Sequence, residues 1–251
     1  MLTRRRCLSL IGASFALSNL CMGMEEQEWR RQLMEAINSH DSITLGHVLP
    51  PPDDATWKKA HAILDAAPTG VAPLQVATYF TTSVLPEYQR AWPEPDIQHP
   101  TYANPLIVLF FLATAQRPAG DTTAWCSAFV NWCLSRCHIK GTNNAGSQSF
   151  VDQNWGSEIW NKSQKTLPTD AHEGDIAVFR HRSDPVHGHV AFFQGISHSR
   201  PRSIDVIGGN QIVGSGPGKV HLIDRRSMRI FSEDTDLELI SIRTTMGLGN
   251  V

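Results

Sequence analysis

Hydrophobic residues recur at helical spacing through the first half of the chain. The pattern predicts an amphipathic helix over Glu25 to Ser39, a second helix containing Trp57, Ala60 and Leu64, and a short third helix from Pro73 through Phe80. Asn104 and Pro105 are typical of a helix start, and the apolar run Leu106 to Leu112 follows them. This run is too short to cross a membrane, so we expect a buried core helix.

A further helix is predicted to begin at Cys126, with Cys133 and Cys137 on its buried face. Upstream, Asp121-Thr122-Thr123 offers good N-cap residues. Cys126 would then lie in the first turn, where free backbone N–H groups and the positive end of the helix dipole gather. Such a position favours the thiolate, which is the nucleophilic form of cysteine.

The periodicity changes to that of strands in the second half of the chain. The predicted strands are Gly174 to Phe179, His189 to Gln194 with Gly195 ending it, Ser203 to Ile207, Val220 to Ile223, and Leu237 to Ile242. Short connections between them favour an antiparallel meander. Helices followed by strands indicate an α+β domain, in which the cysteine helix packs on a small antiparallel sheet.

Composition narrows the possible partners. The 251-residue chain has a formal net charge of −2 and no basic stripe, which argues against nucleic acid as a partner. Its five cysteines form no CxxC pair, and their spacing does not suit a zinc ribbon. The sequence predicts no cofactor and no metal.

The N-terminus is typical of an export signal. Arg4, Arg5 and Arg6 form a positive segment, and the apolar stretch Leu8 to Leu17 follows it. The arginines resemble a twin-arginine signal, and an uncleaved anchor is the alternative. We therefore predict a signal peptide over residues 1–23, a helical N-terminal region over 24–98, a catalytic domain over 99–251, and a periplasmic or secreted protein.

A catalytic cysteine needs a base and a group that orients the base. His189 is the best candidate for the base because it begins a strand directly after Gly188; His187, two residues earlier, is the alternative. Asn210 follows the neighbouring strand, and its amide oxygen can accept a hydrogen bond from an imidazole N–H. Asp205 is the alternative orienting group.

Four motifs stand in a fixed order along the chain: Trp-Cys-Ser-Ala-Phe-Val-Asn-Trp-Cys from Trp125, Gly-Asp-Ile-Ala-Val-Phe from Gly174, Gly-His-Val-Ala-Phe from Gly188, and Ile-Gly-Gly-Asn-Gln from Ile207. Together they resemble the NlpC/P60 and CHAP superfamily of cell-wall cysteine hydrolases. The resemblance is closest to a bacterial group whose helix reads Trp-Cys-(Ala/Ser)-Ala-Phe-Val. It covers about Pro100 to Arg243.

The resemblance implies a papain-like α+β fold with Cys126 as nucleophile, His189 as base and Asn210 as orienting group. It also implies cleavage of an amide or peptide bond in peptidoglycan, either within the stem peptide or between sugar and peptide. The expected partner is peptidoglycan or its peptide fragments, and the expected state is a monomer. Two positions depart from the family pattern: Trp125 stands where NlpC/P60 proteins commonly have Asp, and Gly208 where CHAP domains often have an acidic residue.

Three alternatives to a wall hydrolase remain. The first is a non-catalytic cell-wall-binding module of the same fold, and the second is a lipid acyltransferase. The third is a metal site built from His181, His187 and His189. The sequence also leaves open which bond is cut, whether the enzyme remodels its own wall or attacks a competitor's, and whether an inhibitor protein binds it.

Overall fold

The computed structural model describes residues 55–92, 102–116, 118, 120–231 and 236–248. All of them belong to one compact unit, Gly46–Val251. The predicted export signal and the predicted helix over Glu25 to Ser39 lie outside the described residues.

Four α-helices precede the sheet in the described part of the chain. They are α1 (Ala55–Ala66), α2 (Pro73–Thr82), α3 (Pro105–Phe110), which continues as a 3-10 turn over Phe111–Ala113, and α4 (Cys126–Arg136). The predicted start of α3 is confirmed, because the Asn104 side chain accepts a hydrogen bond from the Leu106 N–H at 3.0 Å and Pro105 occupies the first turn. Among the described residues, no helix combines the length and apolar character needed to cross a bilayer.

Six antiparallel strands form one sheet in the order β1-β6-β2-β3-β4-β5. Their bounds are β1 (Ser157–Asn161), β2 (Ile176–His181), β3 (Gly188–Ile196), β4 (Ser203–Val213), β5 (Val220–Arg229) and β6 (Leu237–Thr244). The predicted meander is confirmed for β2 to β5. Strand β6 instead returns to pair with β2, and β1 pairs with the outer edge of β6.

Two details of the sheet differ from the sequence predictions. Strand β1 was not predicted because it is a short edge strand in which only Trp160 is buried, so it carries no clear alternation. Gly195 does not end β3; it lies at a shift in the register between β3 and β4, with φ of +149°. Glycine tolerates this backbone conformation, and the strand therefore continues to Ile196.

The sheet has a core on each face. One face carries an apolar cluster that includes Ala177, Phe179, Ala191, Phe193 and Val206. Helix α4 packs on the other face, where nine of its residues are buried. The chain therefore has the predicted α+β architecture, with the cysteine helix on a small antiparallel sheet.

Phe80 joins the early helices to the cysteine helix. Its fully buried ring on α2 meets the rings of Phe110, Phe129 and Trp132 edge-on, at centroid distances of 5.3, 5.6 and 5.5 Å. Edge-to-face contacts at this distance are favourable. Helix α2 therefore packs directly on α3 and α4, although it precedes the domain boundary predicted after residue 98.

We expect Phe80→Ala to lower the free energy of unfolding by about 3–5 kcal/mol, because it leaves a cavity among three aromatic rings. Thr82→Ala, at an exposed position of the same helix, should change it by less than about 0.5 kcal/mol. Urea unfolding followed by tryptophan fluorescence measures both. A loss below about 1 kcal/mol for Phe80→Ala would show that α2 is not part of the cooperative core.

Candidate active site

The predicted helix start at Cys126 is confirmed, but the predicted N-cap is wrong. Trp125 occupies the N-cap position and its side chain makes no capping hydrogen bond. The Asp121 carboxylate instead accepts hydrogen bonds from the backbone N–H groups of Trp92 at 2.8 Å and Asn104 at 2.7 Å, so it ties two distant segments together. The side chain at the N-cap position therefore offers no acceptor to the first N–H groups of α4.

The sulfur of Cys126 accepts hydrogen bonds from the first N–H groups of α4. Hydrogen bonds from the backbone of Val190, Ser127 and Cys126 itself act to lower the pKa of the Cys126 thiol. Burial has the larger effect and raises this pKa above its ordinary value, since the side chain is only 2% exposed. The expectation of a stabilised thiolate is therefore corrected: the closed site favours the neutral thiol.

The hydrogen bond from Val190 brings Cys126 next to the strand that carries His189. Strand β3 pairs with β4 only from Phe192 and Ile207 onward, so this backbone group remains available to the sulfur. Cys126 and the residue after His189 are thus in direct contact. No hydrogen bond between the Cys126 sulfur and the His189 ring occurs among the described residues.

His189 is almost fully buried and points to the face of the sheet opposite to α4. It pairs across the strands with Phe179, a member of the apolar cluster, and the two ring centroids are 6.2 Å apart. Burial, with a smaller effect of the positive charge of Arg226, lowers the pKa of His189 to about 4. The imidazole is therefore neutral at neutral pH, and its Nε2 has no hydrogen-bond partner in the described structure.

The Asn210 side chain is hydrogen-bonded to His221 and not to His189. It lies where the pairing of β4 with β5 shifts register, with φ of +58°, and its Oδ1 accepts a hydrogen bond from Nδ1 of His221 at 2.7 Å. The left-handed backbone at this residue turns the amide towards β5. The orienting role of Asn210 therefore stays a prediction, and it would require the amide to leave His221.

The two alternative residues are engaged elsewhere. His187 lies in the turn before β3, where Nδ1 of its exposed ring is hydrogen-bonded to the Asp184 carboxylate at 2.5 Å. This contact lowers the pKa of the Asp184 carboxyl. The Asp205 carboxylate accepts a hydrogen bond from the Ser227 hydroxyl and does not reach His189.

Gln211 is the polar side chain that approaches His189, and the sequence reasoning missed it. A Cβ atom on Gly208 would lie 3.0 Å from Nε2 of Gln211 and 3.1 Å from Nε2 of His189. Both nitrogens are buried and without a partner. The absence of a side chain at Gly208 keeps this space open, since a Cβ would also lie 2.9 Å from the Ala191 side chain. The only sequence signal for Gln211 is its place at the end of the Ile-Gly-Gly-Asn-Gln motif.

The second departure from the family pattern, Trp125, is a packing residue. Its ring is fully buried and stacks on Phe110 with a centroid distance of 6.3 Å. A Cβ on Gly209 would lie only 2.5 Å from the Trp125 ring. Trp125 therefore seats the start of α4 against β4, which holds the sulfur at the sheet.

A cavity of about 650 Å³ opens beside His189 on the face opposite to α4. Gly188, Asn210, Gln211 and Arg226 contribute to its walls. In the described part of the chain, no cluster of three or more His, Cys, Asp or Glu side chains is arranged to hold a metal ion. The site thus offers a thiol, a neutral imidazole, uncapped backbone N–H groups and an adjoining cavity.

Residues 118–210 match the family model of the CHAP domain. The matched segment runs through α4 and β1 to β4 and contains Cys126, His189 and Asn210; β5 and β6 follow it. Neither the curated proteins nor the solved structures compared with the chain contain a match.

The depressed pKa of His189 predicts a specific loss of stability in acid. The unfolded chain binds a proton at His189 below about pH 6.5, whereas the folded protein does so only below about pH 4, so stability falls as the pH drops through this window. Between pH 7 and pH 4.5 this one residue should cost about 2.5 kcal/mol. His189→Gln should lack that part of the loss.

Urea unfolding of both proteins at the two pH values measures this difference. His198→Gln, which alters an exposed histidine, serves as the control and should behave like the wild type. An equal loss of stability in wild type and His189→Gln would contradict the assignment of a buried neutral imidazole.

Proposed function

We propose that this chain, whose residues 118–210 form a CHAP domain of the NlpC/P60 and CHAP superfamily, is an exported cysteine hydrolase that cuts an amide or peptide bond in peptidoglycan. A CHAP domain indicates peptidoglycan hydrolase or amidase activity. The cysteine mechanism, the export and the residue roles are our proposal.

One observation carries the cysteine mechanism. The Cys126 sulfur lies at the uncapped start of α4 and receives backbone hydrogen bonds, one of them from the residue that follows His189. For a core cysteine such as Cys133, in the middle of the same helix, burial and, to a smaller extent, the neighbouring Cys137 thiol raise the pKa well above the ordinary value. Of the three cysteines that the structure describes, Cys126 is the one that combines a helix start, backbone N–H donors and a position beside the strand that carries His189.

The resting site holds a neutral thiol and a neutral imidazole, which defines the first step. As the Cys126 sulfur attacks the carbonyl carbon, His189 takes the thiol proton, the S–C bond forms and the carbonyl becomes an oxyanion. The N–H groups at the start of α4 are suited to stabilise this oxyanion, and loss of one such donor typically costs about 3 kcal/mol. The imidazolium then gives its proton to the leaving amine as the C–N bond breaks.

Water completes the cycle. His189 removes a proton from the water that attacks the acyl-enzyme, and the S–C bond breaks to release the acid and restore the thiol. For this sequence the imidazole must come within hydrogen-bonding reach of the sulfur. Catalytic hydrogen bonds are often long in the absence of substrate and tighten in the complex. Because His189 points to the face of the sheet opposite to α4, its ring would have to turn towards Cys126, which lies beside the next residue, Val190.

A non-catalytic wall-binding module is the second candidate. It is favoured by the burial of Cys126 and by the unpartnered Nε2 of His189. The same CHAP domain would then hold peptidoglycan without cutting it. A measurement of peptidoglycan cleavage distinguishes the hydrolase from the wall-binding module.

We expect wild-type protein to release fragments from purified peptidoglycan, and Cys126→Ala to lower the rate about a thousandfold or more. Cys133→Ala, which removes a buried thiol from the same helix, is the matched control and should keep most activity. His189→Ala should also be inactive, and His187→Ala active. Mass spectrometry of the products identifies the cleaved bond by the amine that appears. Equal product profiles for wild type and Cys126→Ala would leave the binding module as the function.

The role of Asn210 has a separate test. If Asn210 leaves His221 and orients the imidazole during turnover, Asn210→Ala should lower kcat by up to about a hundredfold with little change in KM. His221→Ala frees the amide and should keep kcat within a few-fold of wild type. Equal losses in the two variants would instead show that the Asn210–His221 contact is structural.

A further inference from the structure

The cavity beside His189 is unusually rich in positive charge. Three arginines line it (Arg200, Arg226 and Arg229), and Asp236 is the only carboxylate on its wall among the described residues. With a volume of about 650 Å³, it has room for a peptide segment. Its charge therefore favours an anionic occupant.

Two buried nitrogens on the cavity wall lack partners. His189 is 6% exposed and Gln211 is 3% exposed, and Nε2 of each has no hydrogen bond in the described structure. Both lie about 3 Å from the point where a Cβ on Gly208 would be. A buried donor left without a partner costs about 1–3 kcal/mol. An oxygen of a ligand entering the cavity would satisfy the Gln211 amide.

Arg226 faces the same side of the sheet as His189. Its partner across the strands is Val206, which belongs to the apolar cluster that also contains Ala191. One guanidinium nitrogen donates to the Ile212 carbonyl, and no carboxylate of the described residues pairs with Arg226. The nearest acidic side chain on this face by register is Asp224, opposite Gly208, whose Oδ1 accepts the Arg225 N–H at 2.8 Å.

We propose that this cavity is a subsite for a free carboxylate of the substrate, bound by the Arg226 guanidinium and the Gln211 side-chain amide on the side of the sheet to which His189 points. This inference rests on the proposed hydrolase function and deepens it. It assigns an acidic peptide, rather than a neutral sugar, to the position beside His189. Guanidinium groups suit this task because they bind carboxylates through paired N–H donors.

A bound carboxylate would also change the pKa of His189, the proposed base. The positive charge of Arg226 contributes to the low pKa of His189 in the empty site. An anion against Arg226 would offset this charge and raise the pKa of His189 towards the ordinary value. The imidazole would then become a stronger base once substrate is bound.

The test is a binding measurement that needs no turnover. The full chain carrying Cys126→Ala is titrated by calorimetry at low salt with N-acetyl-L-alanyl-D-glutamic acid and with its diamide, which has the same shape and no charge. The acid should bind at least about tenfold more tightly than the diamide, as expected for an arginine–carboxylate pair. Added to this background, Arg226→Gln should abolish the preference.

Arg225→Gln is the matched control, because it removes the same charge from the adjacent exposed residue, which does not line this cavity. It should keep the preference for the acid. Gln211→Met, a second variant of similar side-chain volume, should weaken binding of the acid several-fold. Near-ultraviolet circular dichroism establishes that each variant is folded.

The proposal is overturned if acid and diamide bind equally, if neither binds at millimolar concentration, or if the preference survives Arg226→Gln. An equal loss of preference in Arg225→Gln would also overturn it, since only overall charge would then matter. A different result would contradict the hydrolase function alone. The wild-type protein would then prefer the acid in the same titration but release no fragments from peptidoglycan.

Discussion

The close approach of α4 to strand β4 at Gly209 is the constraint on which the site depends. A side chain at this position would clash with the buried Trp125 ring, since a Cβ would lie 2.5 Å from it. The absence of that side chain lets the helix begin against the sheet. The first residue of the helix, Cys126, then reaches the backbone of Val190. At the preceding residue, Gly208 leaves open the space beside His189 on the other face.

Burial shifts the pKa values of Cys126 and His189 in opposite directions. It raises the pKa of the Cys126 thiol and lowers that of the His189 imidazole, so both are neutral at rest. The backbone N–H groups around the sulfur only partly offset this effect. In the proposed mechanism the thiol proton would therefore move to His189 during the attack itself. The proposed binding of a carboxylate in the positively charged cavity would bring a compensating negative charge.

Much of the fold could be predicted from local patterns. The start of α3 follows from its capping residues Asn104 and Pro105. The helix that begins at Cys126 and the meander β2 to β5 follow from hydrophobic periodicity. Strand β1 escaped prediction because an edge strand with one buried residue has no periodicity to recognise. The return of β6 to β2 also escaped, since pairing between strands distant in sequence depends on packing rather than on local pattern.

The sequence by itself determined the candidate residues and the family: a cysteine at a helix start, a histidine at a strand start, and a CHAP-type order of motifs. The tertiary structure decided their states and neighbours. It buried Cys126, turned the Asn210 amide to His221, and brought Gln211 to the histidine. These outcomes depend on solvent exposure and on a local break in strand register. Both arise only when distant segments pack together, so no local pattern encodes them.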